Sequence, residues 1–269
     1  MNNIINSKIS VWTPIKWEYS DASEMEISVR KETTMTSNMP AIRLMTWNIN
    51  KLSGQIQRGP RSSAAEIGVK RVIGDFLAQD DSPAIIVLQE GCGADCDPSG
   101  KFIEWLGSLD GCSVFAGSEN RYIRTVVLSR GVHAELAECN KDLSRANRYV
   151  ALNIDMGDKI LHLLALHANA NKDNGEIADD DIAARLCECG TWADDVALVL
   201  VGDANAAPKY RERLKREWGL TDPFAGKVTM PRYGSSPDVI MGRGMNIENA
   251  AVVKSSCSDH RLLTCAVRL

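Results

Sequence analysis

From Ile42 onward the chain alternates between short apolar blocks that read as strands and longer blocks with helical spacing. Ile42 to Trp47 is a short apolar strand. Ala84 to Leu88 is apolar throughout and predicts a strand buried on both faces. Arg124 to Ser129, Arg148 to Ile154 and Lys159 to Leu166 predict three more, and Gly157-Asp158 marks a hairpin between the last two. Ala197 to Val201, Pro237 to Met241, Ile247 to Val253 and Leu262 to Val267 complete the strands. Helices are expected over Ala64 to Leu77, capped by Ser62 or Ser63, and over Phe102 to Leu109. Two more are expected from about Gly175 to Thr191 and over Pro208 to Trp218. Antiparallel-type strands with interspersed helices predict an α+β fold of two packed sheets covered by helices.

Residues 1–40 have a different character. Met25, Ile27 and Val29 alternate with Glu24, Glu26, Ser28 and Arg30, Ile9, Val11 and Trp12 offer a partner strand, and Thr33 to Asn38 reads as a linker. The chain therefore divides into an extension, 1–40, and a domain, 41–269. The extension is a hairpin or leader and a candidate docking piece for a protein partner.

Net charge is −4, so a nucleic-acid substrate needs a local basic groove and cannot rely on the overall field. No apolar run reaches membrane-spanning length, and Met1 to Asn6 lacks the basic start and apolar core of a secretory signal. A cytoplasmic monomer with reduced thiols is the expectation, with export as an effector a compatible alternative. Neither Cys92-x3-Cys96 nor Cys187-x-Cys189 has a second pair or a His pair beside it, which argues against structural zinc.

The candidate chemistry sits where apolar strands end. Asn48 follows Thr46-Trp47, Glu90 follows Leu88-Gln89, and His167 follows Leu166. Asp203 and Asn205 lie in Gly202-Asp203-Ala204-Asn205, Asp238 in Ser236-Pro237-Asp238-Val239, and Asp259 and His260 in Ser258-Asp259-His260. Singly, Glu90 reads as a turn cap and Asp203-x-Asn205 as an Asx-turn. Together they make the inventory of a hard-metal phosphodiester site: oxygen ligands for Mg²⁺, amides for phosphate, and His with Asp for proton transfer. His162 is mid-strand on the face opposite His167 and reads as structural, and His133 reads as a surface residue. Adjacent strand residues point oppositely, so Asp259 does not orient His260. Asp238 is the candidate partner, which makes His260 a base for water, with Asp203 its rival, and leaves Asp259 to face the metal.

The loop after Asn48 carries Lys51, Arg58 and Arg61 without acids, and with Arg232 and Arg243 it supplies candidate substrate-phosphate contacts. Asp179-Asp180-Asp181 and the 209–216 cluster of Lys and Arg read as solvated helix faces.

From Thr46 to Leu263 these motifs resemble the endonuclease/exonuclease/phosphatase superfamily. The resemblance implies a four-layer α/β/β/α sandwich of two mostly antiparallel sheets between helices, with the site at one edge. It also implies Mg²⁺ or Mn²⁺ and hydrolysis of phosphoester bonds. Carried over by position, Glu90 is the metal ligand, with Asp259 and Asn48 beside it. His167, Asp203, Asn205, Asp238 and His260 are catalytic. Of the basic residues named above, Arg58, Arg61 and Arg232 are the expected substrate contacts. His167 is similar to the histidine of the deoxyribonuclease-like and sphingomyelinase-like branches and of the cytolethal distending toxin catalytic subunit. The ending Ser-Asp-His-x-x-Leu-Leu is similar to that of tyrosyl-DNA phosphodiesterases. Asn50 departs from the acidic residue usual in abasic-site enzymes, and Glu119 is the nearest counterpart of a second catalytic glutamate. The expected function is a Mg²⁺-dependent phosphodiesterase acting on DNA as an endonuclease. A phosphoinositide phosphatase or sphingomyelinase-type phospholipase is the alternative within hydrolases. An inactive binding protein on the same fold is the alternative outside them.

Overall fold

The computed structural model describes residues 41–269 apart from 55–60, 92, 94–96, 98, 119, 121–122, 170–175, 190–195 and 207, and the side chains of 176–179 and 208–210. The expectations for 1–40, Arg58, Glu119 and the Cys92–Cys96 pair lie outside the described residues.

Among the described residues, eleven strands form two sheets. They are β1 (Ile42–Asn48), β2 (Ala84–Gln89), β3 (Cys112–Ala116), β4 (Val126–Arg130), β5 (Ala134–Leu136), β6 (Tyr149–Asp155), β7 (Ile160–His167), β8 (Ala197–Asp203), β9 (Asp238–Arg243), β10 (Asn246–Val253) and β11 (Leu262–Arg268). One sheet has the order β10-β11-β1-β2-β4-β3, the other β5-β6-β7-β8-β9. Each has one parallel pair near its centre, β1 with β2 and β7 with β8, and is otherwise antiparallel. The helices are α1 (Ser63–Ala78), α2 (Lys101–Gly107), α3 (Glu176–Glu188) and α4 (Pro208–Trp218).

Three apolar layers show why the chain stacks this way. Alternate residues of both sheets, among them Leu44, Ile85, Val87, Leu152, Leu163, Val199, Val201 and Leu263, interdigitate in the central layer. The outer face of the first sheet buries Trp47, Ile86 and Leu88 under Val69, Ile73 and Phe76 of α1 and Phe102 and Leu106 of α2. The outer face of the second buries Leu164, Leu198 and Leu200 under Ile182 and Leu186 of α3 and Leu214 of α4. Strands buried on both faces explain the continuous apolar runs. The result is the four-layer sandwich the sequence implies. Ser62 caps α1 by accepting the Ala65 N–H at 3.4 Å.

Three features depart from expectation. β3 and β5 carry no clear apolar signal, because both are partly exposed edge strands. Cys139 and Cys189 are disulfide-bonded, against the expectation of reduced thiols. Their separation of 50 residues leaves no spacing motif to read. Asp181 is partly buried and paired rather than solvated: its Oδ2 accepts the Tyr149 hydroxyl at 2.6 Å and meets Arg145 at 3.2 Å. No helix among the described residues is long and apolar enough to cross a membrane.

Candidate active site

Sheet register sets the first level of the site. In the parallel pair β1–β2, Asn48 stands opposite Gln89, so Glu90 falls just past the rim. In the second sheet His167 stands opposite Asp203, and Asp203 opposite Asp238. Both rows end at the same edge of the sandwich, and Asn48 joins them. Its Nδ2 donates to Asp203 Oδ2 at 2.9 Å across the sheets and to Glu90 Oε1 at 3.3 Å, and its Oδ1 accepts the Asn50 N–H at 3.0 Å. Asn48 thus holds two carboxylates apart as a donor. Its oxygen already has a partner, which is a poorer fit to the ligand role expected of it.

Local backbone supports the rim. Glu90 has φ +59° and Asn205 φ +49°, a left-handed conformation that non-glycine residues adopt infrequently. Gly202 has φ +144°, and a Cβ there would lie 1.9 Å from the Leu166 carbonyl oxygen. Only glycine lets β8 approach β7 so closely immediately before Asp203.

The Ser258-Asp259-His260 turn is stapled onto the end of β1. Ser258 Oγ donates to the Asn48 carbonyl at 2.7 Å and accepts the His260 N–H at 3.1 Å, while Trp47 Nε1 donates to the His260 carbonyl at 3.1 Å. His260 Nδ1 then meets Asp238 Oδ2 at 2.9 Å and Oδ1 at 3.1 Å. His167 Nε2 stands 3.3 Å from Glu90 Oε1 and 3.8 Å from Asp203 Oδ2, and its buried Nδ1 has no hydrogen-bond partner among the described residues. Asp203 Oδ1 accepts the Asn205 N–H at 2.9 Å, and Asn205 Nδ2 donates to the Ala168 carbonyl at 2.9 Å.

These groups face a cleft of about 270 Å³ that Lys51, Arg148, Asn169 and Asp259 also line. Electrostatics differ sharply along it. Burial raises the Glu90 carboxyl, but the hydrogen bond and charge of His167, with Asn48 and Lys51, outweigh this and hold it at about 2. Burial raises Asp203, and the charge of Asp238 adds to it. Burial lowers His260, yet the charge and hydrogen bond of Asp238, backed by Asp203 and Asp259, hold it up at about 10. Burial also raises Asp259, and the charge of Glu90 adds to this against the opposing pull of His260.

Two donor sets fit a cation. Ligand atoms of Asp203, Asp238 and His260 lie within 4.8 Å of one another. All three are buried, however, and both Asp238 oxygens are engaged by the imidazole. Glu90 and Asp259 are all-oxygen donors on the open cleft, and their mutual repulsion is what a hard divalent cation relieves. The second set is the better fit.

The remaining candidates scatter. Arg61 lies away from the cleft, its guanidinium engaged by Glu66 at 2.7 Å and Asp97 at 3.1 Å. Arg243 is buried at the opposite end of β9, donating to the Trp218 carbonyl at 3.1 Å. Arg232 lines a neighbouring cavity that shares Asp259 and His260 with the cleft. His162 Nδ1 pairs with Asn153 Oδ1 at 2.8 Å, in keeping with a structural role. Arg148 was missed by sequence reading. Its Nη1 donates to the carbonyls of His167 and Ala168 at 3.0 and 3.2 Å, a placement that follows from β6–β7 pairing and has no motif of its own. Arg211 of α4, expected on a solvated helix face, is instead buried behind Asp238, whose carbonyl accepts from its Nη1 at 3.3 Å.

No known family description matches the sequence, and no curated protein does. Solved structures do match. D. rerio TDP2 complexed with a single-strand DNA product is 15% identical with TM-score 0.61, over 85% of this chain and 99% of that one. The endonuclease domain of TRAS1, a telomere-specific non-LTR retrotransposon, is 17% identical with TM-score 0.59, over 86% and 99%. An endonuclease/exonuclease/phosphatase from Bacteroides vulgatus is 12% identical with TM-score 0.65, over 86% and 99%. This chain has the fold of the endonuclease/exonuclease/phosphatase superfamily.

Proposed function

We propose that the chain is a divalent-metal-dependent phosphodiesterase, acting as an endonuclease on DNA. The observation that carries this reading is the junction of Glu90, Asn48 and Asp203 across two sheets, with His167 on one side and the His260–Asp238 pair on the other. A similar fold that holds a single-strand DNA product supports the choice of nucleic acid.

Glu90 and Asp259 would hold Mg²⁺ or Mn²⁺, which when bound supplies positive charge to the phosphoryl oxygens. Asp203, buried and aimed by Asn48 and the Asn205 N–H, accepts the proton of the attacking water. His260 keeps its proton near neutrality and so suits a donor to a phosphoryl oxygen better than a base. This moves the base role from His260, where the sequence reading put it, to Asp203. His167 faces the opposite wall and serves the leaving oxygen, while Arg148 and Lys51 add positive charge at the cleft.

Purified protein with Mg²⁺ or Mn²⁺ should be assayed against supercoiled plasmid, RNA, phosphoinositides and sphingomyelin. Plasmid nicking abolished by EDTA is expected. Release from lipids alone would replace DNA with a phosphoinositide or sphingolipid substrate. No turnover, together with no Mg²⁺ binding by calorimetry, would leave a binding protein and sink the hydrolytic reading.

A further inference from the structure

Asp259 and His260 form a wall between the catalytic cleft and a second cavity of about 640 Å³. The far side of that cavity is lined by Arg232, Lys254, Ser255, Ser256 and Arg261. Arg232 comes from the helical turn Pro231–Tyr233 ahead of β9, and Lys254 to Ser256 from the turn between β10 and β11.

Several other surface cations of the molecule are ion-paired. Arg213 pairs with Glu217 and Asp180, Lys215 with Glu212, Arg145 with Asp181 and Arg268 with Glu248. Arg232 and Lys254 are exposed, and among the described residues no carboxylate pairs with either. Arg261 is anchored by Nη1 donating to the Val228 carbonyl at 3.2 Å. Apart from the shared wall, no carboxylate among the described residues lines the cavity. On a chain of net charge −4, three cations and two hydroxyls around one recess make a local attractor for an anion. Tyr233 beside it is 54% exposed, with the Arg232 guanidinium 5.6 Å from its ring centre.

We propose that this cavity is a subsite for a nucleic-acid strand. Arg232 and Lys254 hold a phosphate flanking the one in the catalytic cleft, and Tyr233 offers a face to an unpaired base. The assignment of the neighbouring phosphate as the reacting one rests on the hydrolytic reading above; the binding itself does not. A membrane surface fits the recess worse, because these cations line a hollow between two turns and not a flat face with an apolar layer beneath it.

Anisotropy of a short labelled oligothymidylate, measured on the full chain in EDTA across a salt series, tests this without turnover. Arg232→Ala with Lys254→Ala should weaken binding at low salt about tenfold or more. It should also flatten the slope of log Kd against log salt by about 0.7, the contribution of one single-strand phosphate contact. Tyr233→Ala should weaken binding with the slope unchanged. Arg232→Lys with Lys254→Arg should bind as the parent does, which separates lost charge from lost fold. Lys101→Ala with Lys159→Ala, removing two charges elsewhere, should change neither quantity. The proposal is overturned by an unchanged slope in the first variant, by an equal loss in the distant control, or by no binding of the parent at low salt. It is also overturned if the same substitutions abolish binding to phosphatidylserine vesicles and spare the oligonucleotide. Plasmid nicking with unchanged salt slopes would defeat this subsite alone. Intact strand binding with no hydrolysis of any substrate would defeat the hydrolytic reading alone.

Discussion

His260 Nδ1 lies 2.9 Å from Asp238 Oδ2, with both side chains buried at the rim where the two sheets meet. Asp238 works on the ring against the effect of burial and holds the imidazolium to about 10. A pKa raised above the ordinary value of about 6.5 stabilises the fold fully below that pH, and the contribution is lost as pH rises toward the folded value. Asp238→Asn should therefore be clearly less stable than the parent near pH 6, with the gap closing toward pH 10, as read by urea melts across pH. Turnover should fall about a hundredfold. A gap that widens with pH would contradict the pairing.

Glu90 runs the other way. Burial raises it, and His167 and Asn48 more than compensate, so its folded value of about 2 lies below the ordinary value near 4.3. Its stabilisation is present above that ordinary value and is lost as pH falls toward 2. Glu90→Gln should flatten this part of the acid limb of a thermal-melt series. The same variant should lose Mg²⁺ binding in calorimetry; binding equal to the parent would remove Glu90 from the proposed ligand set.

Asn48→Leu keeps the volume and removes the donor that joins Glu90 to Asp203. It leaves Asp203 Oδ2 and the Asn50 N–H each short of a partner in a buried place, a cost of about 1–3 kcal/mol. Turnover should drop by about a hundredfold or more while the protein remains folded, as judged by circular dichroism and steady-state kinetics.

Arg211 is 1% exposed and stands 3.8 Å from Asp222, whose side chain is 2% exposed. Removing one member of a buried pair costs about 3–5 kcal/mol because the other charge is left unmatched. Arg211→Met should show a loss of that size in denaturant melts, and Asp222→Asn added to it should restore part of it. A loss under about 1 kcal/mol would mean the guanidinium is not anchoring this part of the core.

Gly202→Ala would drive a Cβ to 1.9 Å from the Leu166 carbonyl oxygen at φ +144°. Relief requires β7 and β8 to part beside His167 and Asp203, so a loss on the order of 3 kcal/mol and impaired turnover are expected. A near-native melting temperature would show that the strand ends can yield.

The amino-acid sequence by itself determined where the strands run and which polar residues close them. An apolar block such as Ala84 to Leu88 can satisfy its side chains only between two packed layers, and Glu90 is the first charged residue after that block. Local composition therefore marked Asn48, Glu90, His167, Asp203 and Asp259, which the fold brings to one cleft. The pairing of Asp238 with His260 was legible too, because strand alternation turns Asp259 away from its neighbour. Tertiary structure alone decided the rest. Whether a cation such as Arg61, Arg211 or Arg232 faces a carboxylate, the core or an open cavity depends on which distant segment packs beside it, and no local pattern records that. Arg148 and the Cys139–Cys189 disulfide are of the same kind. The protonation states belong there as well. Burial and neighbouring charges are properties of the assembled rim, and they are the ground on which Asp203 rather than His260 is proposed as the base.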